Sequence, residues 1–187
     1  MEIKPITVGI PTSQMDYFAA RQLGDQWCWA ASIKMVLNYY GAAITQNQIV
    51  GRTYKTDEFG RLPNWPATYK TIHENLNNWS YDNNGNKYSV TATIGFGVPN
   101  HIWLINEINS QRPVIIAYKT GHATGHAVVI TGLSFIFKTN TPTVTQIVVR
   151  DPWQSPENIA SKGRKSYGGL FAKNIDAFWS IRVYDRE

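Results

Sequence analysis

Hydrophobic positions in the first half of the chain recur at helical spacing. In CWAASIKMVLNYYG, apolar side chains three and four residues apart would form one face of a helix, and Gly41 follows where a C-terminal cap is expected. Shorter helices are predicted in TQNQIVGR, with Thr45 as N-cap, in ATYKTIHENLNNW, and in NHIWLINEINS, with Asn100 as N-cap. Residues 1–26 are predicted to be irregular because prolines and glycines interrupt them.

From residue 113 onward, the apolar positions form short, nearly continuous runs that are typical of β-strands. The segments PVIIAYK, HAVVITGLSFIFK, TVTQIVVRD and FWSIRVYD each fit one strand, and a turn is predicted at 140–142 between the second and the third. A further short strand is expected after the Asn84-Gly85 turn. Helices followed by strands predict an α+β fold, in which an N-terminal helical layer packs on a C-terminal antiparallel β-sheet.

Length and composition indicate one folded domain. No repeat, low-complexity tract or linker divides the sequence, so we expect a single domain over residues 1–187, with a helical half at about 20–110 and a β half at about 111–187. Hydrophobic residues make up 43% and charged residues 17%, which excludes global disorder.

The distribution of charge argues against nucleic-acid and membrane partners. The net charge is +5, but the basic residues are scattered, and the densest cluster, Lys162, Arg164 and Lys165, is interpreted as part of a solvated loop. No apolar run is long enough for a membrane span. Charges and a proline interrupt the N-terminus where a signal peptide needs an apolar run, so synthesis in the cytoplasm without a conventional signal peptide is expected.

The single cysteine is the first candidate for chemistry. One Cys excludes an internal disulfide framework and any Cys-based zinc finger. Cys28 falls in the first turn of the strongest predicted helix, where the partial positive charge of the helix N-terminus stabilises a thiolate. A nucleophilic thiolate also needs a histidine to accept its proton and a polar residue to orient that histidine. The alternative is a small buried structural cysteine.

Four histidines are available: His73, His101, His122 and His126. Only His126 leads directly into an apolar strand, whose rigid backbone would aim the imidazole, although a satisfied core histidine is the alternative. The two histidines of HATGH are four residues apart, but their flanking glycines oppose a helix and the Glu of an HExxH motif is missing. No metal ion and no cofactor is therefore expected.

Asp151 is the candidate for the orienting residue. It ends the hydrophobic strand of VTQIVVRDPW and is followed two places later by Trp153. A carboxylate at a strand end beside an aromatic ring can hold one histidine tautomer away from water. A simple strand-end or turn carboxylate is the alternative.

Three short segments resemble those of papain-like cysteine peptidases. QLGDQWCWAAS resembles the nucleophile segment, in which a Gln lies six positions before a Cys-Trp-Ala helix start, as Gln22 does before Cys28. GHAVVITG resembles the family's His segment, and RDPW its third segment. Asp151 stands where plant and lysosomal papains have Asn, and the spacing is compact. In these respects the chain is similar to compact bacterial types, namely double-glycine, bacteriocin-processing peptidases and papain-fold effector proteases.

The resemblance implies roles for these residues. Cys28 would be the nucleophile that forms a thioester, His126 the general base and acid, and Asp151 the residue that orients His126. Gln22 would supply an oxyanion-hole donor beside the backbone N–H of Cys28, whereas Gln26 is a rival whose spacing does not match the family.

Two tryptophans would support this site. Trp29 belongs to the Cys-Trp-Ala helix start. Trp153 would shield the His–Asp pair from water, a role that is compatible with ordinary core packing.

The same resemblance implies a cysteine endopeptidase that cleaves a protein or peptide substrate, with cleavage after small residues such as Gly-Gly. A deamidase, a transglutaminase-like toxin or an isopeptidase could use the same triad, because the thioester acceptor decides among these outcomes. A non-catalytic papain-fold binding module is the second alternative.

Control of the activity leads to a further hypothesis. Only 27 residues precede Cys28, which is too few for the folded inhibitory propeptide of secreted papains. We therefore expect a bacterial effector or toxin protease that is delivered to a target cell and held in check by a cognate inhibitor or immunity protein.

Overall fold

The computed structural model of the chain describes residues 4–120 and 125–185. The helices are α1 (Thr12–Phe18), α2 (Cys28–Tyr39), α3 (Gln46–Thr53), α4 (Tyr69–Leu76), α5 (His101–Asn109) and α6 (Pro156–Ala160), with one 3-10 helix at Gly169–Asn174. The strands are β1 (Ile6–Gly9), β2 (Tyr88–Phe96), β3 (Val114–Lys119), β4 (Gly125–Lys138), β5 (Thr141–Arg150), β6 (Arg164–Gly168) and β7 (Ile175–Asp185).

The helix starts follow the capping signals in the sequence. Thr45 accepts a hydrogen bond from the backbone N–H of Gln48, whose side chain in turn accepts from the Thr45 backbone, so that a capping box begins α3. The side chain of Asn100 accepts from the first backbone N–H groups of α5. Gly41 follows α2 with a φ of +95°, a left-handed conformation that favours glycine. Both N-cap predictions and the C-cap prediction are confirmed.

The described strands form one antiparallel sheet in the order β2-β7-β3-β4-β5-β6, and β1 pairs with the far end of β4. Helix α2 and its neighbours α3 and α4 cover one face, toward which Ile115 and Val129 point. Helix α5 covers the opposite face, on which Val114 and Val128 lie. Burial on both faces explains why these strands are nearly continuous apolar runs. The predicted α+β fold, with helices packed on an antiparallel sheet, is confirmed.

Several local elements differ from the predictions. Residues 1–26 were expected to be irregular, but β1 and α1 form there, with Met15 of α1 fully buried. The turn between β4 and β5 lies at Thr139 and Asn140, one residue earlier than predicted, because both residues adopt a positive φ in a two-residue hairpin turn. The solvated loop expected around Lys165 is instead β6, paired with β5.

None of the helices in residues 4–120 and 125–185 has the length and apolar character needed to cross a bilayer.

Candidate active site

Cys28 is the first residue of α2, at one wall of a cleft between the helical layer and the sheet. It is half-buried and has no disulfide partner. The helix is held against the sheet by Ser32, whose Oγ donates to the carbonyl oxygen of Ala127 at 3.2 Å. Because Ala127 follows His126 directly, this contact fixes the nucleophile helix against the strand that carries the histidine.

The indole rings of the two residues that flank Cys28 bind the 63–67 loop, part of which lines the cleft. Trp29 is 2% exposed, and its Nε1 donates to the carbonyl oxygen of Trp65 at 3.3 Å. Trp27 donates in the same way to the carbonyl oxygen of Pro63 at 3.0 Å. Trp29 thus supports the site by fastening the 63–67 loop to the start of α2.

His126 is the second residue of β4, opposite Tyr118 in the antiparallel register with β3. The Tyr118 ring packs edge-on against the imidazole with 5.7 Å between ring centroids. Nε2 of His126 lies 2.7 Å from Oδ1 of Asp151, which follows the last residue of β5. The Cys28 side chain also acts on the imidazole through a hydrogen bond and its charge. An imidazole has two ring nitrogens, so Nδ1 is the atom that remains available to the thiol.

Asp151 is held on all sides. Its side chain is 4% exposed, and Oδ1 also accepts from the backbone N–H of Trp153 at 2.9 Å. Oδ2 accepts from Nζ of Lys165 at 2.8 Å. Its own backbone N–H donates to the carbonyl oxygen of Gly163 at 2.8 Å. The carboxylate therefore has three donors and a fixed backbone.

The electrostatics of the pair favour charged forms. Burial alone would lower the pKa of His126, but the hydrogen bonds and charges of Asp151 and Cys28 outweigh it and raise the pKa to about 9. Burial would raise the pKa of Asp151, yet its bonds from His126, Lys165 and Trp153 hold that pKa well below the usual range. At neutral pH the site therefore holds an imidazolium beside a carboxylate.

Two cavities meet at Cys28 and His126. One, of about 230 Å³, has a largely apolar lining from the 66–72 segment and the strands β3 and β4, namely Pro66, Ala67, Tyr69, Ile72, Ala117 and Ala127. The other, of about 510 Å³, is bordered by Asp25, Gln26, Thr120, Asp151 and Trp153. The thiol and the imidazole thus lie where the smaller and the larger of these two cavities meet.

Gln22, the predicted oxyanion-hole residue, is 1% exposed beside this cleft. Its Nε2 donates to the carbonyl oxygens of Gly24 at 3.1 Å and Asp25 at 2.7 Å, while its Oε1 is buried without a hydrogen-bond partner. The rival Gln26 lines both cavities. The structure therefore places Gln26 in the cleft with Cys28, whereas the amide of Gln22 is bonded to its own loop.

Trp153 is 48% exposed and borders the larger cavity together with His126 and Asp151. His73 on α4 and His101 on α5 line neither cavity. His122 of the HATGH run lies outside the described residues. Within residues 4–120 and 125–185, no three His, Cys, Asp or Glu side chains converge on a metal position.

Sequence reasoning missed two groups at this site. Lys165 was assigned to a loop, and only the pairing of β6 with β5 brings it to Asp151. Tyr118 was predicted only as part of a strand, and the register of β3 with β4 places it against His126. Both depend on strand pairing between distant segments, for which the sequence carries no local signal.

Comparison with known proteins bears on the family and the fold. The model of the Peptidase_C39 like family matches residues 10–180. No curated protein sequence gives a significant match. Several solved structures share the fold at low sequence identity.

A double glycine motif protease from an AMS/PCAT transporter, solved in complex with the leader peptide, is 16% identical with a TM-score of 0.52, over 87% of this chain and 89% of that one. The peptidase domain of Streptococcus ComA, a bifunctional ABC transporter involved in quorum sensing, is 14% identical with a TM-score of 0.54, over 89% and 97%. The clostridial cysteine protease Cwp84 is 12% identical with a TM-score of 0.61, over 90% and 56%. The predicted papain-like fold is confirmed.

Proposed function

We propose, since the chain belongs to the Peptidase_C39 like family and is a papain-like cysteine peptidase, that it is an endopeptidase whose catalytic triad is Cys28, His126 and Asp151. The observation that carries this proposal is the 2.7 Å hydrogen bond between Nε2 of His126 and Asp151, which leaves the other ring nitrogen available to Cys28. That arrangement matches a nucleophile, a base and an orienting group in series.

Each residue has a defined step. The Cys28 thiolate attacks the carbonyl carbon of the scissile bond, and the carbonyl oxygen becomes an oxyanion. His126 gives its Nδ1 proton to the leaving amine, and a thioester remains on Cys28. The imidazole then takes a proton from water, whose oxygen attacks the thioester and releases the acid and the Cys28 sulfur. Asp151 keeps its charge throughout and stabilises the imidazolium.

Stabilisation of the oxyanion requires hydrogen-bond donors directed at the position where the negative charge develops. The backbone N–H of Cys28 is one, and we assign the second to the side chain of Gln22 on the spacing of six residues in the family's pattern. In that role the Gln22 amide turns from the loop carbonyls toward the cleft. The buried, unpartnered Oε1 supports such a turn, because the present orientation leaves it unsatisfied.

The substrate class that we propose is a peptide segment of a protein. The structure of the double glycine motif protease contains a leader peptide, which supports peptide binding by this fold. Cleavage after small residues such as Gly-Gly is the corresponding specificity. The apolar cavity of about 230 Å³ beside Cys28 supports a requirement for an apolar side chain near the scissile bond.

The biological setting remains that of the sequence hypothesis: a bacterial effector or toxin protease, delivered to a target cell and paired with an inhibitor or immunity protein. Expression of the wild-type chain in a bacterial cytosol should then slow growth, and Cys28→Ala should restore it. Equal growth and high yields of both proteins would contradict this setting and leave the peptidase chemistry standing.

Peptide hydrolysis is tested by incubating the wild-type protein with a proteome-derived peptide mixture in water enriched in the heavy oxygen isotope. New C-termini that carry the label, and that are absent with Cys28→Ala, are the expected result. Labelled glutamate in place of glutamine would establish a deamidase instead, and amine adducts a transglutaminase-like enzyme. Cleavage confined to lysine side-chain amides would identify an isopeptidase. No product of any kind would favour the binding module.

A further inference from the structure

Lys165 is the cation that contacts Asp151 directly. Its Nζ lies 2.8 Å from Oδ2, the oxygen that His126 does not use, and its side chain is 33% exposed whereas that of Asp151 is 4% exposed. Three described groups donate to the carboxylate: His126 and the Trp153 backbone to Oδ1, and Lys165 to Oδ2. The pair is an ion pair whose acidic member is buried and also bound to the imidazole.

The fold builds this contact through a tight turn. Lys165 pairs with Val149 in the register of β5 and β6, two residues before Asp151. Gly163 precedes β6 with a φ of +74°, and a Cβ atom there would collide with the carbonyl oxygen of Asp151. Only glycine fits at this position, so the backbone entering β6 presses against the Asp151 backbone and delivers Lys165 to the carboxylate.

The Lys165 ammonium on Oδ2 changes the electrostatic environment of the His126 imidazole. A lone buried carboxylate would stabilise the imidazolium so strongly that transfer of its proton to a leaving amine would be disfavoured. A neighbouring positive charge offsets part of that stabilisation. It also fixes the plane of the carboxylate, because a bond on each oxygen opposes rotation about the Cβ–Cγ bond.

We propose that Lys165 is a positioning residue of this site, which holds the Asp151 carboxylate in the plane of His126 and partly neutralises the charge that the imidazole faces. This inference rests on the proposed function for its role in turnover, but not for its effect on His126. On this proposal, β6 contributes to the chemistry through Lys165, which acts on Asp151 and not on the substrate.

Other charged and titratable groups surround the pair and must be held constant. They are Cys28 from α2, Tyr118 from β3, Tyr167 from β6, Glu157 from α6 and Asp25 at the rim of the larger cavity. None of these is a base that is cationic at neutral pH. Removing Lys165 therefore removes the positive charge in direct contact with Asp151 without replacing any other group.

The test is a titration of the His126 ring protons by NMR in the wild-type protein, Lys165→Met, Lys165→Gln and Lys165→Arg. Arg164→Met is the matched control, because it removes one positive charge from the adjacent, exposed position of the same strand. We expect the His126 midpoint to rise by roughly 0.5 to 1 pH unit in the Met and Gln variants, as for loss of a partly screened charge several ångströms away. It should stay at the wild-type value in the Arg variant and in Arg164→Met.

An unchanged midpoint in a folded Lys165→Met or Lys165→Gln protein would overturn the proposal, as would an equal rise in Arg164→Met. The two neutral variants differ in shape and hydrogen bonding, so the result does not depend on the folding of one of them. A purely structural salt bridge would lower the melting temperature and leave the midpoint where it was.

Measurement of turnover distinguishes failure of the proposed function from failure of the role proposed for Lys165. If the wild-type protein cleaves peptides, Lys165→Met should move the alkaline limb of its kcat/KM profile upward by the same interval and lower kcat with little change in KM. If it cleaves nothing, the proposed function fails, and the titration still tests whether Lys165 acts on His126 through Asp151.

Discussion

Arg150 and Asp16 lie 134 residues apart in the sequence and are joined by a 2.6 Å ion pair between Nη1 and Oδ1. The Arg150 side chain is 1% exposed, and it also donates to the carbonyl oxygens of Thr12 and Lys162. Since Arg150 immediately precedes Asp151, this pair fastens helix α1 to the strand end that carries the orienting carboxylate.

Removal of Asp16 should destabilise the fold because it leaves a buried guanidinium without its counter-charge. We expect Asp16→Ala to lower the free energy of unfolding by about 1–3 kcal/mol, somewhat below the value for a fully buried pair because Asp16 is partly exposed. Urea unfolding measures this change. Glu74→Ala is the control, since its ion pair with Lys70 is exposed and should contribute less than about 0.5 kcal/mol. Equal effects would contradict a special role for Arg150.

The reactivity of Cys28 should depend on His126. Alkylation by iodoacetamide near neutral pH, followed by intact-mass spectrometry, should be rapid and confined to one site in the wild-type protein. His126→Ala should slow it at least tenfold, because the thiolate loses the imidazolium beside it. His73→Ala, at a half-buried position of α4 outside both cavities, should leave the rate unchanged. A wild-type rate no faster than that of free cysteine would indicate an ordinary thiol.

The raised pKa of His126 predicts a pH dependence of stability. A group whose folded pKa exceeds its unfolded value contributes stability that is fully present below the unfolded value and is lost as pH rises through the folded one. For His126 this window runs from 6.5 to about 9, and the contribution is about 3 kcal/mol.

Urea unfolding across this window should show the decline in the wild-type protein and a much smaller one in His126→Gln. Parallel curves for the two proteins would mean that the imidazole is not held by Asp151 in solution.

The oxyanion-hole assignment separates two glutamines. Gln22→Ala should lower kcat about 100-fold or more through loss of one donor to the oxyanion, with little effect on iodoacetamide alkylation, which forms no oxyanion. Gln26→Ala should have a smaller effect on kcat. Since Gln22 also donates hydrogen bonds to two loop carbonyls, the melting temperature of the Gln22→Ala protein must be measured in parallel. A larger loss for Gln26→Ala in two equally stable proteins would transfer the role to Gln26.

The apolar cavity makes a prediction about specificity. Ala67→Phe would fill the space beside Cys28 from a half-exposed loop position, where the backbone need not shift. Hydrolysis of peptides with a large apolar residue near the scissile bond should fall at least tenfold, whereas alkylation by the small reagent iodoacetamide should be unchanged. An equal loss for all peptides would show that the cavity does not select a side chain.

Local signals in the sequence predicted much of this molecule. The start of α2 at Cys28, the caps at Thr45 and Asn100 and the long strands each depend on a few neighbouring residues, and all were found. The same holds for the motifs around Cys28, His126 and Asp151, which the fold gathers at one cleft.

What the sequence could not supply depends on pairing between distant segments. RKSYG has no apolar run, so β6 becomes a strand only because β5 is beside it, and the contact of Lys165 with Asp151 is a product of that pairing. The short strand β1 forms for the same reason against β4. The direction of the Gln22 amide is likewise set by loop carbonyls that no spacing reveals.

The position of β7 has a consequence for biosynthesis. This strand follows all the others in the sequence, yet it lies between β2 and β3 and joins them. A nascent chain still short of residues 175–185 lacks the strand between β2 and β3, so β3, which lines the cleft through Ala117, has no partner on that side. The nascent chain should therefore become active only after β7 has been translated. A product that terminates before β7 should be inactive.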